Sequence, residues 1–221
     1  MNKIKAVVFD MDGVIFDSEI KVIECWMDVA EKYHIEHIEN ACRQCLGMNK
    51  KATKLKFLSI YGEAFPYDEY KAEMSALFHE RYSGGKLPIK PGAHELLAYL
   101  RSKKIKIALA SSTRKSVVMP ELTDAGLIQY FDEIVCGDMV KQSKPAPDIF
   151  LKAVNQLQVE PQYAYAIEDS FNGIRSAYRA GMHPIMVPDL LEPDEEILGL
   201  TEVVLPSLTK VMDWFMNLCE E

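Results

Sequence analysis

The sequence predicts an α/β fold, a parallel sheet wrapped by helices, with an all-helical insertion near its beginning. Three observations predict it. Apolar runs of strand length at 6–9, 105–110, 133–136 and 163–167 each end abruptly in polar residues. Beyond position 93 such runs alternate with stretches of helical periodicity, the order that gives parallel strands joined by right-handed crossovers. Between Asp17 and Tyr82, by contrast, no strand-like alternation occurs and apolar residues recur only at helical spacing. With 221 residues the chain can form one large domain or two small ones, each with a real core.

In chain order, strand 6–9 runs straight into Asp10-Met11-Asp12-Gly13, where the glycine permits a turn that a side chain would resist. Ser18 is expected to N-cap a helix in which Ile20, Ile23, Trp26, Met27 and Ala30 repeat as far as Tyr33. Leu55, Phe57, Leu58 and Tyr61 continue the helical pattern, followed by Tyr70, Met74, Leu77 and Phe78. Ser83-Gly84-Gly85 and Pro91-Gly92 mark the exit from this block. A helix over 94–103 then leads to strand 105–110, which ends at Ser111-Ser112-Thr113. The next helix, 115–124, stops before Gly126, a C-terminal cap glycine. Strand 133–136 ends at Gly137-Asp138, and Pro145 and Pro147 are expected in the first turn of the following helix. Strand 163–167 ends at Glu168-Asp169, and helix 170–180 closes at Gly181. Runs at 184–187 and 202–205 supply a fifth and a sixth strand. A last helix over 208–218 carries Val211, Trp214 and Phe215.

Composition narrows the function. A net charge of −8 argues against nucleic acid as a partner, because such binding needs a basic surface. It leaves an anionic substrate open, since a bound metal ion reverses the local field. No basic-then-apolar leader opens the chain and no apolar run reaches the ~18 residues of a membrane span, so a cytoplasmic protein without membrane contact is expected. Five cysteines at irregular spacing read as free thiols. Cys42 and Cys45 have redox-pair spacing, but no second pair accompanies them. His34 and His37 lack a third ligand nearby and read as a helix end.

Chemistry is expected at the strand ends, because ligands of open parallel sheets collect there. Asp10 and Asp12, one residue apart at such an end, could be a plain solvated turn, and a DxD by itself does not decide. Four stretches together do: FDMDGVIFDS, LASST, SKPAPDIF and AIEDSFNGIRSA. In this order they resemble the four motifs of the haloacid dehalogenase (HAD) superfamily, in the branch of sugar-phosphate phosphatases and β-phosphoglucomutase. The resemblance implies a Rossmann-like core formed by 1–16 and 83–221, and a helical cap over 17–82 that closes on the active site. It makes Asp10 the nucleophile that forms an aspartyl-phosphate, and Asp12 the general acid and then the base. Ser111 and Lys144 match the hydroxyl and the lysine of the second and third motifs. Mg²⁺ would be held by Asp10, the backbone carbonyl of Asp12, Asp169 and, directly or through water, Glu168. Substrate specificity falls to Trp26, Gly47, Met48, Asn49 and Lys50 of the cap and to Ser112, Thr113 and Arg114 of the core, and a monomer is expected.

The residue types suit that chemistry. Two unit charges ~4 Å apart repel by about 4 kcal/mol at an effective dielectric of ~20, so four carboxylates would repel a phosphate without cations. Hard oxygen ligands in small number suit Mg²⁺. Asp12 has no task in carbon–halogen cleavage, which leaves no oxygen to protonate, so phosphoryl transfer is the better reading. Against the mutase, Val22 stands where that enzyme carries a histidine, and Leu46 and Lys50 stand where its cap loop carries a basic residue and an arginine. Hydrolysis of a small phosphorylated metabolite is therefore expected over mutation. A non-catalytic protein on the same scaffold would have lost Asp10, Asp12, Lys144 or Asp169, and all four are present.

Overall fold

Every residue of β1 (Ala6–Phe9) is buried, which explains its unbroken apolar run: a strand covered on both faces needs no polar alternation. In the computed structural model, which describes residues 4–48 and 50–220, β1 lies inside a parallel sheet. Among the described residues the other strands are β2 (Lys106–Ser111), β3 (Glu133–Cys136), β4 (Ala164–Glu168), β5 (His183–Met186) and β6 (Val203–Val204). The order is β3-β2-β1-β4-β5-β6. Phe9 pairs with Leu109 on one side and Ile167 on the other, so Asp10 emerges between two neighbouring strand ends. Strand addition changes side at β1, and that switch opens a crevice at the carboxyl edge of the sheet.

Successive side chains of β1 point to opposite faces, which sets the two halves of the core. Val7 and Phe9 join Leu96 and Leu100 of α5 (Ala93–Ser102), Val118 and Leu122 of α6 (Lys115–Asp124) and Phe215 of α10 (Leu208–Glu220). Ala6 and Val8 join Phe150 and Val154 of α7 (Asp148–Leu157) and Ala177 of α8 (Phe171–Arg179). Truncating a ring as deeply buried as Phe9, Phe150 or Phe215 to alanine costs about 3–5 kcal/mol.

Between β1 and α5 the chain forms α1 (Ser18–Tyr33), α2 (Ile38–Arg43), α3 (Lys50–Tyr61) and α4 (Tyr67–Tyr82). These helices enclose a core of their own around Ile23, Trp26, Val29, Phe57 and Met74. The ring of Phe57 lies 5.0 Å from Trp26 and 5.1 Å from Tyr67. His34 and His37 take left-handed backbone at the end of α1 and the start of α2, the helix-end role expected of them. Cys42 and Cys45 are buried free thiols, and burial first, then each other's proximity, pushes Cys42 up to about 12. The segments joining this insertion to the core lie against each other. Asp17 N–H donates to the Pro88 carbonyl at 2.9 Å and Lys90 N–H to the Ile15 carbonyl at 2.8 Å, with Phe16 and Ile89 paired between them.

Four local expectations change. Ser18 is the first residue of α1 rather than its cap, because its hydroxyl is committed to Asp12. Pro147 occupies the N-cap position of α7, so both prolines precede the helix. The sixth strand shrinks to Val203–Val204. A short helix absent from the sequence reading, α9 (Glu195–Leu200), precedes it, capped by Asp194, whose carboxylate accepts from the Ile197 N–H at 2.9 Å.

Candidate active site

The carboxyl ends of β1, β2 and β4 bring Asp10, Ser111 and Glu168 to one edge of the sheet, all three buried. Lys144 reaches the same edge from the turn before α7. An ammonium has three protons, and each finds an acceptor: Asp10 Oδ1 at 2.5 Å, Glu168 Oε1 at 2.7 Å and the Ala110 carbonyl at 2.9 Å. Burial alone would lower the lysine pKa. The charges of Asp10 and Glu168 overcome that and hold it above the ordinary lysine range.

Glu168 is fixed from its other side as well. Its Oε2 accepts from Asp169 N–H at 3.0 Å, Ser170 N–H at 2.9 Å and the Ser170 hydroxyl at 3.0 Å. Gly173, in the first turn of α8, leaves room for this carboxylate, since a Cβ there would overlap it. Burial, opposed by Lys144 but reinforced by Glu168 and Asp12, pushes Asp10 up to about 8. Burial, then Glu168 and Asp10, likewise raises Asp169 well above the carboxylate range. Asp10, Glu168 and Asp169 each place one oxygen within 4.8 Å of the others. Crowded carboxylates that resist ionisation, with oxygen donors only, fit a hard divalent cation.

Asp12 stands apart from that trio. Its Oδ1 accepts from the Ser18 hydroxyl at 2.7 Å and its Oδ2 from the Thr113 hydroxyl at 2.9 Å. Thr113 is held in turn by its own N–H, which donates to Ser111 Oγ at 3.0 Å. The turn between Asp10 and α1 rests on Gly13, at φ 80°, where a Cβ would run into Asp169 Oδ2.

The remaining expected positions spread around this edge. Ser112 and Arg114 are exposed, Arg114 at the N-terminus of α6. Gly47 meets the core: Asn172 Nδ2 donates to its carbonyl at 2.5 Å, two positions from Ser170. Met48 is exposed, as is Lys50 at the start of α3, and Asn49 lies outside the described residues. Trp26 is only 4% exposed and belongs to the interior of the insertion. Sequence reasoning missed several charged groups beside the site. Burial, then Asp12, Asp189 and Glu168, pushes Glu19 up to about 7. Lys71 of α4 is lowered by burial and then by Lys50. Lys90 bridges Asp17, at 3.2 Å, and Asp189.

A family model for haloacid dehalogenase-like hydrolases matches residues 7–187, from β1 to just beyond β5. The chain belongs to this family. As a haloacid dehalogenase-like hydrolase it is an enzyme, and its four-helix insertion stands where the cap of that fold is expected. The phosphorylated carbohydrates phosphatase of Thermotoga maritima is 35% identical over 184 residues, covering 82% of this chain and 83% of the relative. The β-phosphoglucomutase of Bacillus subtilis is 32% identical over 191 residues, covering 83% of each. The crystal structure of β-phosphoglucomutase from Clostridium difficile matches with a TM-score of 0.76 at 26% identity, covering 97% of this chain and 96% of that one. Among the described residues, no helix is long and apolar enough to cross a membrane.

Proposed function

We propose that this hydrolase is a Mg²⁺-dependent phosphomonoesterase acting on a small phosphorylated metabolite, a sugar phosphate, through a phosphoryl group carried on Asp10. The observation that carries this reading is the separation of the two aspartates. Asp10 belongs to the acidic trio and touches Lys144, whereas Asp12 is held outside it by two hydroxyls, free to move protons. The phosphatase of Thermotoga maritima named above supports the substrate class.

Asp10, Asp169 and the Asp12 backbone carbonyl would hold Mg²⁺, which when bound would offset the charge of the phosphoryl group. Glu168, whose Oε2 is taken by three donors while it still offers an oxygen that converges with the other two carboxylates, would join them directly or through water. Lys144 counters part of the burial that disfavours the Asp10 carboxylate, so the ionised nucleophile forms at a lower pH than burial alone would allow. Asp10 attacks phosphorus, the bond to the leaving alkoxide breaks, and Asp12 supplies that oxygen with a proton. Asp12 then takes a proton from the water that attacks the aspartyl-phosphate, and inorganic phosphate leaves. Ser111 serves as a donor to the phosphoryl oxygens. Gly47, Met48, Asn49, Lys50 and Trp26 of the cap and Ser112, Thr113 and Arg114 of the core would select the substrate.

Likeness to two β-phosphoglucomutases favours a second reading, phosphosugar mutation. Val22, Leu46 and Lys50 weigh against it. A mutase must grip a bisphosphate by its far end, and lysine offers a point charge where arginine offers a bidentate fork. The test supplies sugar phosphates with Mg²⁺, including β-glucose 1-phosphate with a trace of the 1,6-bisphosphate, and follows free phosphate and glucose 6-phosphate. Phosphate release that vanishes in Asp10→Asn is the expected result. Isomerisation outrunning phosphate release about a hundredfold would select the mutase.

A further inference from the structure

Asp189, in the loop after β5, belongs to none of the four motifs, yet its carboxylate is buried beside the site, its side chain only 6% exposed. Its two oxygens have different surroundings. Oδ1 pairs with the ammonium of Lys90, on the segment that returns from the cap to the core. Oδ2 is buried with no hydrogen-bond partner among the described residues. A buried carboxylate oxygen without a donor is costly, so its place calls for a ligand.

Gly13 locates that oxygen. A Cβ built on Gly13 would collide with Asp169 Oδ2 and stand 3.3 Å from Asp189 Oδ2. Both oxygens therefore flank one point above the Gly13 Cα. With hydrogen bonds of ~2.8 Å they are near enough for a single water to touch both. Asp189 is not part of the trio whose oxygens converge, so it is not placed to coordinate the same ion directly. Magnesium keeps several of its waters when protein carboxylates bind it, and such waters are strong donors that need acceptors.

From this placement we infer that Asp189 is an outer-sphere positioning residue for the divalent cation: its bare Oδ2 accepts a hydrogen bond from a cation-bound water on the Asp169 side. The inference rests on the reading that Asp10 and Asp169 hold that cation. Because Oδ1 of the same carboxylate grips Lys90, Asp189 also joins the cation to the segment on which the cap is hung.

The experiment is calorimetric titration of Mg²⁺ into the metal-free full-length protein, with no substrate present. Wild type should bind, and Asp169→Asn should abolish the signal. Loss of an outer-sphere partner weakens metal sites about 10–100-fold, so Asp189→Asn should raise Kd at least tenfold. Removing one charge could do this without any bridging water, so the decisive protein is the double variant Lys90→Gln/Asp189→Asn, which keeps the local net charge. It too should bind Mg²⁺ at least tenfold more weakly. If it fails to fold, as judged by thermal unfolding in chelator, Lys90→Met/Asp189→Ser, which keeps the same local net charge, replaces it in the comparison. A Kd within twofold of wild type in the charge-balanced variant overturns the role of Asp189 and leaves the cation reading intact. Wild type that does not bind Mg²⁺, or binding that survives Asp169→Asn, overturns both.

Discussion

Replacing Lys144 with methionine tests the centre of the site directly. Methionine keeps an unbranched apolar stem against Phe150, whose ring lies 5.0 Å from the ammonium, but removes the charge and three donated hydrogen bonds. Two buried carboxylates, Asp10 and Glu168, would then face each other without their shared cation. Removing one member of a buried ion pair costs about 3–5 kcal/mol, and the triple engagement of this ammonium puts the expectation in that range. Urea unfolding in chelator at about pH 9, above the point where Asp10 ionises, is the assay. At a slope of about 2–3 kcal/mol/M, the midpoint should fall by about 1–2 M. Near pH 5 Asp10 holds its proton in both proteins, so the deficit should shrink. Phosphate release in the presence of Mg²⁺ should drop by at least ~10²-fold, as when a charge-stabilising donor is lost. A stability loss below about 1 kcal/mol at the higher pH would mean that no ionised Asp10–Lys144 pair exists there.

Thr113→Val removes one of the two hydroxyls that hold Asp12; a lost hydrogen bond to a charged group of ~1.5–3 kcal/mol should lower kcat about 10–100-fold while leaving Mg²⁺ affinity unchanged, and an unaltered kcat would show that Asp12 needs no such anchor. The metal-free protein should also lose stability as pH rises. Asp10 at about 8, Glu19 and Glu121 each at about 7, and Asp169 all lie above their unfolded values. Carboxyls raised in this way contribute stability that is complete below about pH 4 and is lost as pH climbs through 7–8. Thermal midpoints in chelator should therefore decline across that window, and Mg²⁺, which favours the ionised forms, should restore more of the loss at higher pH. A midpoint that rises through the window without metal would contradict the crowding of these carboxylates.

What could be read from the sequence was local in the chain. The Asp10-Met11-Asp12-Gly13 turn, the Ser111 strand end and the Glu168-Asp169 pair are each contiguous, and each lies at the strand tip its apolar run predicts. Partnerships across the chain left no such trace. Ser18 looks like a helix cap, because Ser before an apolar-periodic run usually is one, and only the fold shows its hydroxyl turned back to Asp12. Lys90 and Asp189 are 99 positions apart, and neither has a neighbouring pattern that names the other. Trp26 shows the opposite case. Its helical spacing put it with the packed residues of α1 while the family resemblance assigned it to substrate specificity, and its burial among Phe57 and Tyr67 agrees with the periodicity. The α9 helix escaped notice because six residues hold too little periodicity to register.

The paired segments at residues 15–17 and 88–90 have a consequence for how this enzyme can change. The insertion leaves the core and returns to it through one narrow neck, whose two strands are hydrogen-bonded to each other. To the core, everything beyond that neck is equivalent to the tip of a hairpin. Loop-closure entropy grows only slowly with length, each doubling costing about 0.6 kcal/mol, and a neck that pins its own ends makes the cost of closing the core almost independent of the length grafted there. The folding of the grafted piece is then its own affair, resting on its own aromatic interior. The helical insertion and the sheet edge that carries Asp10 are thereby separated into parts that can be exchanged independently. A different helical bundle, or a shorter loop, could be mounted on the same two strands while Asp10, only five residues upstream of Ile15, keeps its place between β2 and β4.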